Sequence, residues 1–147
     1  MLTVHHLGIS QSERIVWLCE ELALPYQLVR YERDKVTRLA PPEYKALHPF
    51  GTAPVIVDGA VVLAESAAIM EYIIARHGQG RLAVRPDAPN YPEYLFWFHF
   101  ANGSMMPVQF AGAIKPTADE TPRTRISRER CAIWRSEERR VGKECRS

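Results

Sequence analysis

Two parts of the chain carry groups that could hold a small peptide. Ser10 lies near the start of a predicted helix, where its hydroxyl could donate a hydrogen bond to an anion. Residues 48–68, HPFGTAPVIVDGAVVLAESAA, contain Pro54 and reach a second helix start at Glu65-Ser66. The N–H groups at a helix start have no partner within the helix and bind carboxylates. These residues predict a site for a small peptide with an anionic end.

A predicted β-α-β unit positions Ser10. Residues 2–7 and 26–31 are short, apolar and partly β-branched, which favours two strands. Between them, apolar residues recur at helical spacing until Pro25, and Ser10-Gln-Ser-Glu13 has the pattern of a capping box that begins the helix at Ser10. Two strands joined by such a helix are expected to be parallel, with a right-handed crossover.

A predicted hairpin and helix position the second stretch. A short helix is expected at residues 41–47, which begin with Pro-Pro. The β-rich runs at residues 55–57 and 60–63 flank Asp-Gly at 58–59, a strong signal for a hairpin turn. Apolar residues at helical spacing then predict a helix over 65–78. The element order indicates an α/β fold, with the hairpin extending the sheet.

Composition and charge exclude several classes of protein. The 147 residues are 46% hydrophobic and 24% charged, as in globular proteins. The net charge is only +2, and residues 123–146 hold nine Lys or Arg against four Glu, so no nucleic-acid-binding surface is expected. The first residues lack the pattern of a signal peptide, and no run approaches the roughly eighteen apolar residues of a membrane span. We expect a soluble cytoplasmic protein.

The sequence predicts no metal site and no redox-active cysteine pair. Cys19, Cys131 and Cys145 lack the short spacings typical of metal ligands or dithiols, and Cys19 falls on an apolar helix face. His5 and His6 are adjacent in a predicted strand, so their side chains point to opposite faces of the sheet and cannot chelate one metal ion. A structural role is expected for Cys19, His5 and His6.

Three motifs together resemble the glutathione S-transferase family: HHLGISQSERIVWLCEEL, HPFGTAPVI and LAESAAIMEYI. The resemblance covers about residues 1–110. It implies a thioredoxin-like, glutathione-binding domain at 1–80, with a four-stranded mixed sheet and flanking helices. A linker at 81–92 and the first helix of an all-helical domain at 93–114 would follow. Residues 94–100, YLFWFHF, are apolar nearly all round and would need cover on several sides.

The resemblance also implies a role for Ser10, which aligns with the serine that serine-type members use to bind and activate the thiol of glutathione. Ser10 is therefore the predicted catalytic residue. Two alternatives stay open: Ser12 as the hydroxyl that acts, or activation through backbone groups. Ser10 as a plain helix cap is the structural alternative.

Five further residues are implied to bind glutathione. Ala53-Pro54 matches a dipeptide with a cis bond, whose Ala53 N–H and C=O would pair with the cysteinyl backbone as an added strand does. Glu65 would pair with the ammonium group of the γ-glutamyl end, and Ser66 would bind its carboxylate. Thr52 stands where many relatives place a lysine near the glycyl carboxylate, so Thr52 or His48 would take that contact.

The resemblance implies a glutathione transferase that ionises the thiol of glutathione, its cosubstrate, and directs it at a small electrophile. The full-length protein would form a homodimer. Two other functions stay open: a non-catalytic partner protein on the same fold, and a glutathione-dependent peroxidase or reductase.

The end of the chain departs from the family pattern. Residues 115–147 lack sustained apolar periodicity and are expected to be disordered or artefactual. One codon choice for residues 135–147, RSEERRVGKECRS, begins AGATCGGAAGAGC, the start of a widely used sequencing-library adaptor. We therefore expect a truncated protein whose helical domain is incomplete, and the activity of this chain stays open.

Overall fold

The computed structural model describes residues 1–113, with side chains through residue 109. The predicted disordered or artefactual segment, residues 115–147, lies outside the described residues. The chain divides into two compact units, Met1–Val84 and Arg85–Ser147.

The first unit is a four-stranded sheet with helices packed on it. Its order is β2-β1-β3-β4, with β1 parallel to β2 and antiparallel to β3, and β4 antiparallel to β3. This arrangement confirms the predicted α/β, thioredoxin-like fold with a mixed sheet. The elements are, in chain order, β1 (Leu2–Leu7), α1 (Ser12–Glu21), β2 (Tyr26–Tyr31), α2 (Pro42–Lys45), β3 (Val55–Asp58), β4 (Val61–Ala64) and α3 (Ser66–His77).

The strand register brings three distant segments to one edge of the sheet. His5 near the end of β1 pairs with Val55 at the start of β3, and Val55 pairs with Ala64 at the end of β4. The loop that leads to Ser10, the segment before Val55 and the start of α3 therefore leave the sheet at the same edge.

Strand alternation gives the sheet two cores. Val4 and Ile56 face α1 and α3, while Leu7 and Val55 point to the opposite face, which Tyr44 of α2 covers. Burying each large aliphatic side chain contributes about 1.5–3 kcal/mol. The larger core contains Leu2, Val4, Ile15, Leu18, Cys19, Leu22, Ile56, Ile69, Ile73 and Ile74.

The predicted capping box is wrong, because α1 begins at Ser12 rather than at Ser10. The Ser10 hydroxyl donates to the backbone oxygen of Leu7 at 2.7 Å, and its oxygen accepts the N–H of Ser12 at 3.1 Å. These bonds hold the Ser10 side chain back against the end of β1. Gln11 precedes the helix, and its side chain makes no capping bond.

Two other boundaries differ from the prediction. The hairpin loop is Gly59-Ala60 rather than Asp58-Gly59, since Asp58 still pairs with Val61 in the ladder. Gly59 has φ of +61°, which a residue without Cβ adopts readily. The short helix α2 covers Pro42–Lys45 only.

In the second unit, α4 (Tyr91–Phe100) continues through a π-helical segment (Ala101–Met105) into α5 (Met106–Ala113). No residue of α4 is buried, and the side chains of Phe96 and Trp97 are 57% and 62% exposed. Within residues 1–113, no helix is both long enough and apolar enough to cross a membrane.

Candidate functional site

The predicted site residues converge on the sheet edge where β1 ends and β3 begins. Ser10 follows β1, Ala53-Pro54 precedes β3, and Glu65-Ser66 follows β4. Because His5, Val55 and Ala64 are in register, these three segments start from neighbouring positions. The structure thus brings Ser10 and Ser66 to the same end of the first unit.

Ser10 has the more accessible of the two candidate hydroxyls. Its side chain is half-buried, and its oxygen lies 2.7 Å from the hydroxyl oxygen of Ser12. The single hydrogen of Ser10 has two acceptors at 2.7 Å, the Leu7 carbonyl oxygen and the Ser12 hydroxyl oxygen. A ligand sulfur at this position would take the same hydrogen.

Ser12, the alternative hydroxyl, is fully buried beneath Ser10. Its oxygen accepts the Leu7 N–H at 3.1 Å and lies 2.8 Å from Nδ1 of His6. Its hydroxyl is also 3.1 Å from the Leu7 carbonyl oxygen. With no exposed surface, Ser12 can act on a ligand only through Ser10.

Arg33 holds the turn between β1 and Ser10. Its Nε donates to the carbonyl of Gly8 at 2.7 Å, and a terminal nitrogen donates to the carbonyl of Ile9 at 3.1 Å. Its other terminal nitrogen donates to the carbonyl of Arg38 at 3.0 Å. Ile9 has φ of +54°, an unfavourable conformation for a β-branched residue, so the guanidinium stabilises a strained turn.

The Ala53–Pro54 peptide bond is cis, which confirms that expectation. Pro54 is buried and Ala53 half-buried, whereas Thr52 is exposed. His48, the alternative to Thr52, is half-buried and accepts the N–H of Phe50 at 3.3 Å through Nδ1. The segment therefore offers the Ala53 backbone beside the start of β3.

Glu65 and Ser66 form the start of α3. Glu65 is exposed and adopts φ of +72° and ψ of 115°, a strained conformation typical of functional sites. Ser66 is 3% exposed, and its hydroxyl donates to Oε1 of Gln11 at 2.6 Å. This bond joins the N-termini of α1 and α3, where the two helix dipoles favour an anion.

Burial disfavours the ionised, nucleophilic forms of two side chains in this unit, Cys19 and Tyr44. Burial, with the nearby charge of Glu20, raises the pKa of the Cys19 thiol to about 11. Burial also raises the pKa of Tyr44 to about 12 and lowers the pKa of His5. Among the described residues, no three His, Cys, Asp or Glu side chains are grouped to hold a metal ion. Cys19, the cysteine of the described residues, is therefore held as an unreactive thiol.

Residues 10–76 match the family profile described as glutathione S-transferase, N-terminal domain. Glutathione S-transferase 3 of Schizosaccharomyces pombe is 40% identical over 114 residues, covering 78% of this chain and 46% of that protein. A crystal structure of a glutathione S-transferase from Actinobacillus pleuropneumoniae is 33% identical and superposes with a TM-score of 0.82, covering 93% of this chain and 64% of that one. The chain belongs to the glutathione S-transferase family.

A second solved structure that is similar to this chain contains bound glutathione. It is the theta-class enzyme of Xanthomonas axonopodis pv. citri, which is 25% identical with a TM-score of 0.59, covering 89% of this chain and 61% of that one. The chain spans about half the length of the curated relatives it matches.

The contacts that three residues make at this site were not predicted from the sequence. These residues are His6, Gln11 and Arg33. Strand alternation places His6 on the face that α1 covers, so its contact with Ser12 had a weak signal in the sequence. Gln11 and Arg33 act on groups distant in sequence, and no local pattern indicates either contact.

Proposed function

We propose that the first unit binds glutathione and lowers the pKa of its thiol for attack on an electrophile. The meeting of Ser10, the Ala53-Pro54 segment and Ser66 at one sheet edge carries the proposal. Glutathione has a carboxylate and an ammonium at one end, a thiol in the middle and a second carboxylate at the other end. The site offers a complementary group for each.

The γ-glutamyl end would bind at the start of α3. Its carboxylate would accept the Ser66 hydroxyl and N–H groups at the start of the helix, and its ammonium would pair with the exposed carboxylate of Glu65. The cysteinyl backbone would pair with the N–H and C=O of Ala53 beside β3. Thr52 or His48 would take the glycyl carboxylate.

The sulfur would then lie at Ser10, before the N-terminus of α1. A free thiol has a pKa of about 8.5, and lowering it by about two units requires roughly 2.7 kcal/mol. A hydrogen bond to a charged acceptor contributes about 1.5–3 kcal/mol, and a helix dipole about 0.3–1. Ser10 and α1 together suffice. The proton passes to solvent. With an aryl halide as the electrophile, the thiolate lone pair forms the carbon–sulfur bond and the halide leaves with the electron pair of the broken carbon–halogen bond.

Calorimetry with two thiol peptides tests the binding mode. We expect glutathione to bind the chain at least about tenfold more tightly than cysteinylglycine, which lacks the γ-glutamyl group, since that group carries the contacts to Ser66. Ser66→Ala should remove most of this difference. Ser104→Ala, an exposed serine of the second unit, is the matched control and should leave it intact. Equal affinity for the two peptides, or no binding of glutathione, would contradict the proposal.

For the whole protein we propose transfer of glutathione to a small electrophile, by a cytoplasmic homodimer. Membership of the family supports this proposal. Conjugation of a generic aryl halide without consumption of peroxide is the expected result. Peroxide consumption would favour a peroxidase, and binding of a partner without turnover would favour a non-catalytic protein.

A further inference from the structure

His6, Ser12 and Ser10 form a line of three polar side chains that ends at the proposed position of the sulfur. Nδ1 of His6 lies 2.8 Å from the hydroxyl oxygen of Ser12, which lies 2.7 Å from that of Ser10. The Ser10 hydroxyl lies 2.7 Å from the Leu7 carbonyl oxygen. Each of these short contacts requires one hydrogen between its two atoms, because two lone pairs at such a distance repel each other.

Counting hydrogens fixes the direction of the line. Ser10 and Ser12 supply one hydrogen each, and the Leu7 carbonyl supplies none. If Nδ1 of His6 were unprotonated, two hydrogens would have to serve three short contacts, and one contact would be left without any. If Nδ1 carries a hydrogen, each of the three short contacts has one, and only the longer contact of 3.1 Å between the Ser12 hydroxyl and the Leu7 carbonyl oxygen lacks one. His6 then donates to Ser12, Ser12 donates to Ser10, and Ser10 donates to Leu7.

The N–H of Leu7 limits the alternatives further. It donates to the Ser12 oxygen, so one of the two lone pairs of that oxygen is occupied by the backbone and the other is free for Nδ1–H of His6. The Ser10 oxygen likewise accepts the N–H and the hydroxyl of Ser12. With both its lone pairs occupied, Ser10 has only its hydrogen left to offer.

We propose that His6 is a positioning residue that acts through Ser12 to keep the Ser10 hydroxyl a hydrogen-bond donor directed away from Ser12. The inference rests on the proposed role of Ser10 in glutathione activation. A thiolate would replace the Leu7 carbonyl as the acceptor of the Ser10 hydrogen. Hydrogen bonds in such a chain polarise one another, so donation by His6 strengthens donation by Ser10. Ser12 and His6 themselves do not touch the sulfur.

The tautomer of His6 in the free chain provides the first test. Nitrogen NMR of the chain with isotope-labelled histidine should show a hydrogen on Nδ1 of His6, with the His6→Asn variant used to assign the signal. An unprotonated Nδ1 would reverse the direction of the line and overturn the proposal. This measurement needs no ligand, and the tautomer is observed in the unaltered chain.

The second test measures the thiol pKa of bound glutathione from the ultraviolet absorbance of the thiolate. His6→Leu should raise that pKa by roughly half a unit, and the dissociation constant of glutathione should be unchanged at a pH below that pKa, where the bound thiol is protonated. His6→Asn keeps an N–H donor near the Nδ1 position, so the thiol pKa should stay close to that of the unaltered chain. His5→Leu is the matched control, because His5 points to the opposite face, where its Nδ1 lies 3.0 Å from the Tyr31 hydroxyl.

A double-mutant comparison separates action through Ser10 from a general structural role. In the Ser10→Ala background, His6→Leu should leave the thiol pKa unchanged. A shift of the same size in both backgrounds would overturn the positioning role, as would the absence of any shift in the unaltered background. Failure of the unaltered chain to bind glutathione would overturn the proposed function as well. Normal glutathione binding with a Ser10 effect but no His6 effect would overturn only the role of His6.

Discussion

The side-chain oxygen of Gln11 accepts a hydrogen bond of 2.6 Å from the hydroxyl of Ser66, which lies 55 residues further along the chain. Gln11 immediately precedes α1 and Ser66 begins α3, so this bond joins two helix N-termini. Both ends carry partial positive charge and favour an anion between them. A ligand carboxylate at Ser66 would take the hydroxyl from an uncharged amide oxygen, which gives it up more readily than a carboxylate would.

Gln11→Glu should therefore weaken glutathione binding at least about tenfold, or about 1.4 kcal/mol. The new carboxylate would hold the Ser66 hydroxyl and repel the incoming carboxylate of the ligand. Gln11→Ala, which removes the acceptor without adding charge, should have a much smaller effect. Calorimetric titration of both variants measures the difference, and equal losses for Glu and Ala would contradict this account.

Arg33 should stabilise the turn before Ser10 through the planar shape of its guanidinium rather than through its charge. It donates to three carbonyl groups, those of Gly8, Ile9 and Arg38, and a lysine cannot reproduce that planar fork. We expect Arg33→Lys and Arg33→Met to lower the free energy of unfolding similarly, by about 1–2 kcal/mol. Urea denaturation measures this quantity. Arg38→Met is the control, since it removes a charge from the same loop but leaves the accepting carbonyl in place.

Ile9→Gly should raise the free energy of unfolding, contrary to the usual effect of glycine. The side chain of Ile9 is 74% exposed, so little burial is lost. Its φ of +54° costs an L-residue about 1–2 kcal/mol, while the extra backbone freedom of unfolded glycine costs about 0.5–1. A net gain of about 0.5–1 kcal/mol follows from the difference. Val36→Gly, at a residue 89% exposed that is not among those with positive φ, should destabilise the chain instead.

Asp58 should make stability depend on pH in the acid range. Its carboxylate lies 2.8 Å from Nε2 of His77 and accepts the Tyr72 hydroxyl at 3.0 Å. The hydrogen bond from His77 is the main reason that the pKa of Asp58 lies below its ordinary value. A carboxyl with a lowered folded pKa contributes stability above its unfolded pKa of about 3.9, and the contribution is lost as pH falls through the folded pKa.

Asp58→Asn should therefore reduce the free energy of unfolding at pH 7 by about 1 kcal/mol. The difference from the unaltered chain should shrink as the pH falls below about 4, where the carboxyl of the unfolded chain becomes protonated, and should disappear below the lowered pKa of the folded chain. Thermal unfolding at a series of pH values measures the effect. A difference that stays constant down to pH 2 would show that the ionised form of Asp58 contributes nothing, contrary to this prediction.

Periodicity and turn chemistry predicted the strands and the long helices of the first unit, because hydrophobic spacing directly reflects which face is buried. The start of α1 was predicted two residues too early, since the Leu7 carbonyl competes for the Ser10 side chain. The positive φ of Ile9 and Glu65 could not be predicted from their residue types, because the surrounding structure imposes both conformations.

The residues of the site could be predicted from the sequence, but the hydrogen bonds that join them could not. Ser10 and Ser66 were named from the sequence, and the register of three strands brings them to one edge. The Gln11–Ser66 bond and the three bonds of Arg33 join segments whose proximity only the folded sheet creates. Contacts of this kind depend on side-chain directions that sequence spacing does not specify.

The pKa of the bound glutathione thiol tests the central claim most directly. The chain should hold this pKa below the ordinary value of about 8.5, and Ser10→Ala should raise it by about one to two units. The dissociation constant should change little at a pH below the bound pKa, where the thiol is protonated in both variants. Ultraviolet titration of the thiolate in the complex gives both values. A bound thiol that titrates as it does in free solution, with no difference between the unaltered chain and Ser10→Ala, would contradict the role assigned to Ser10.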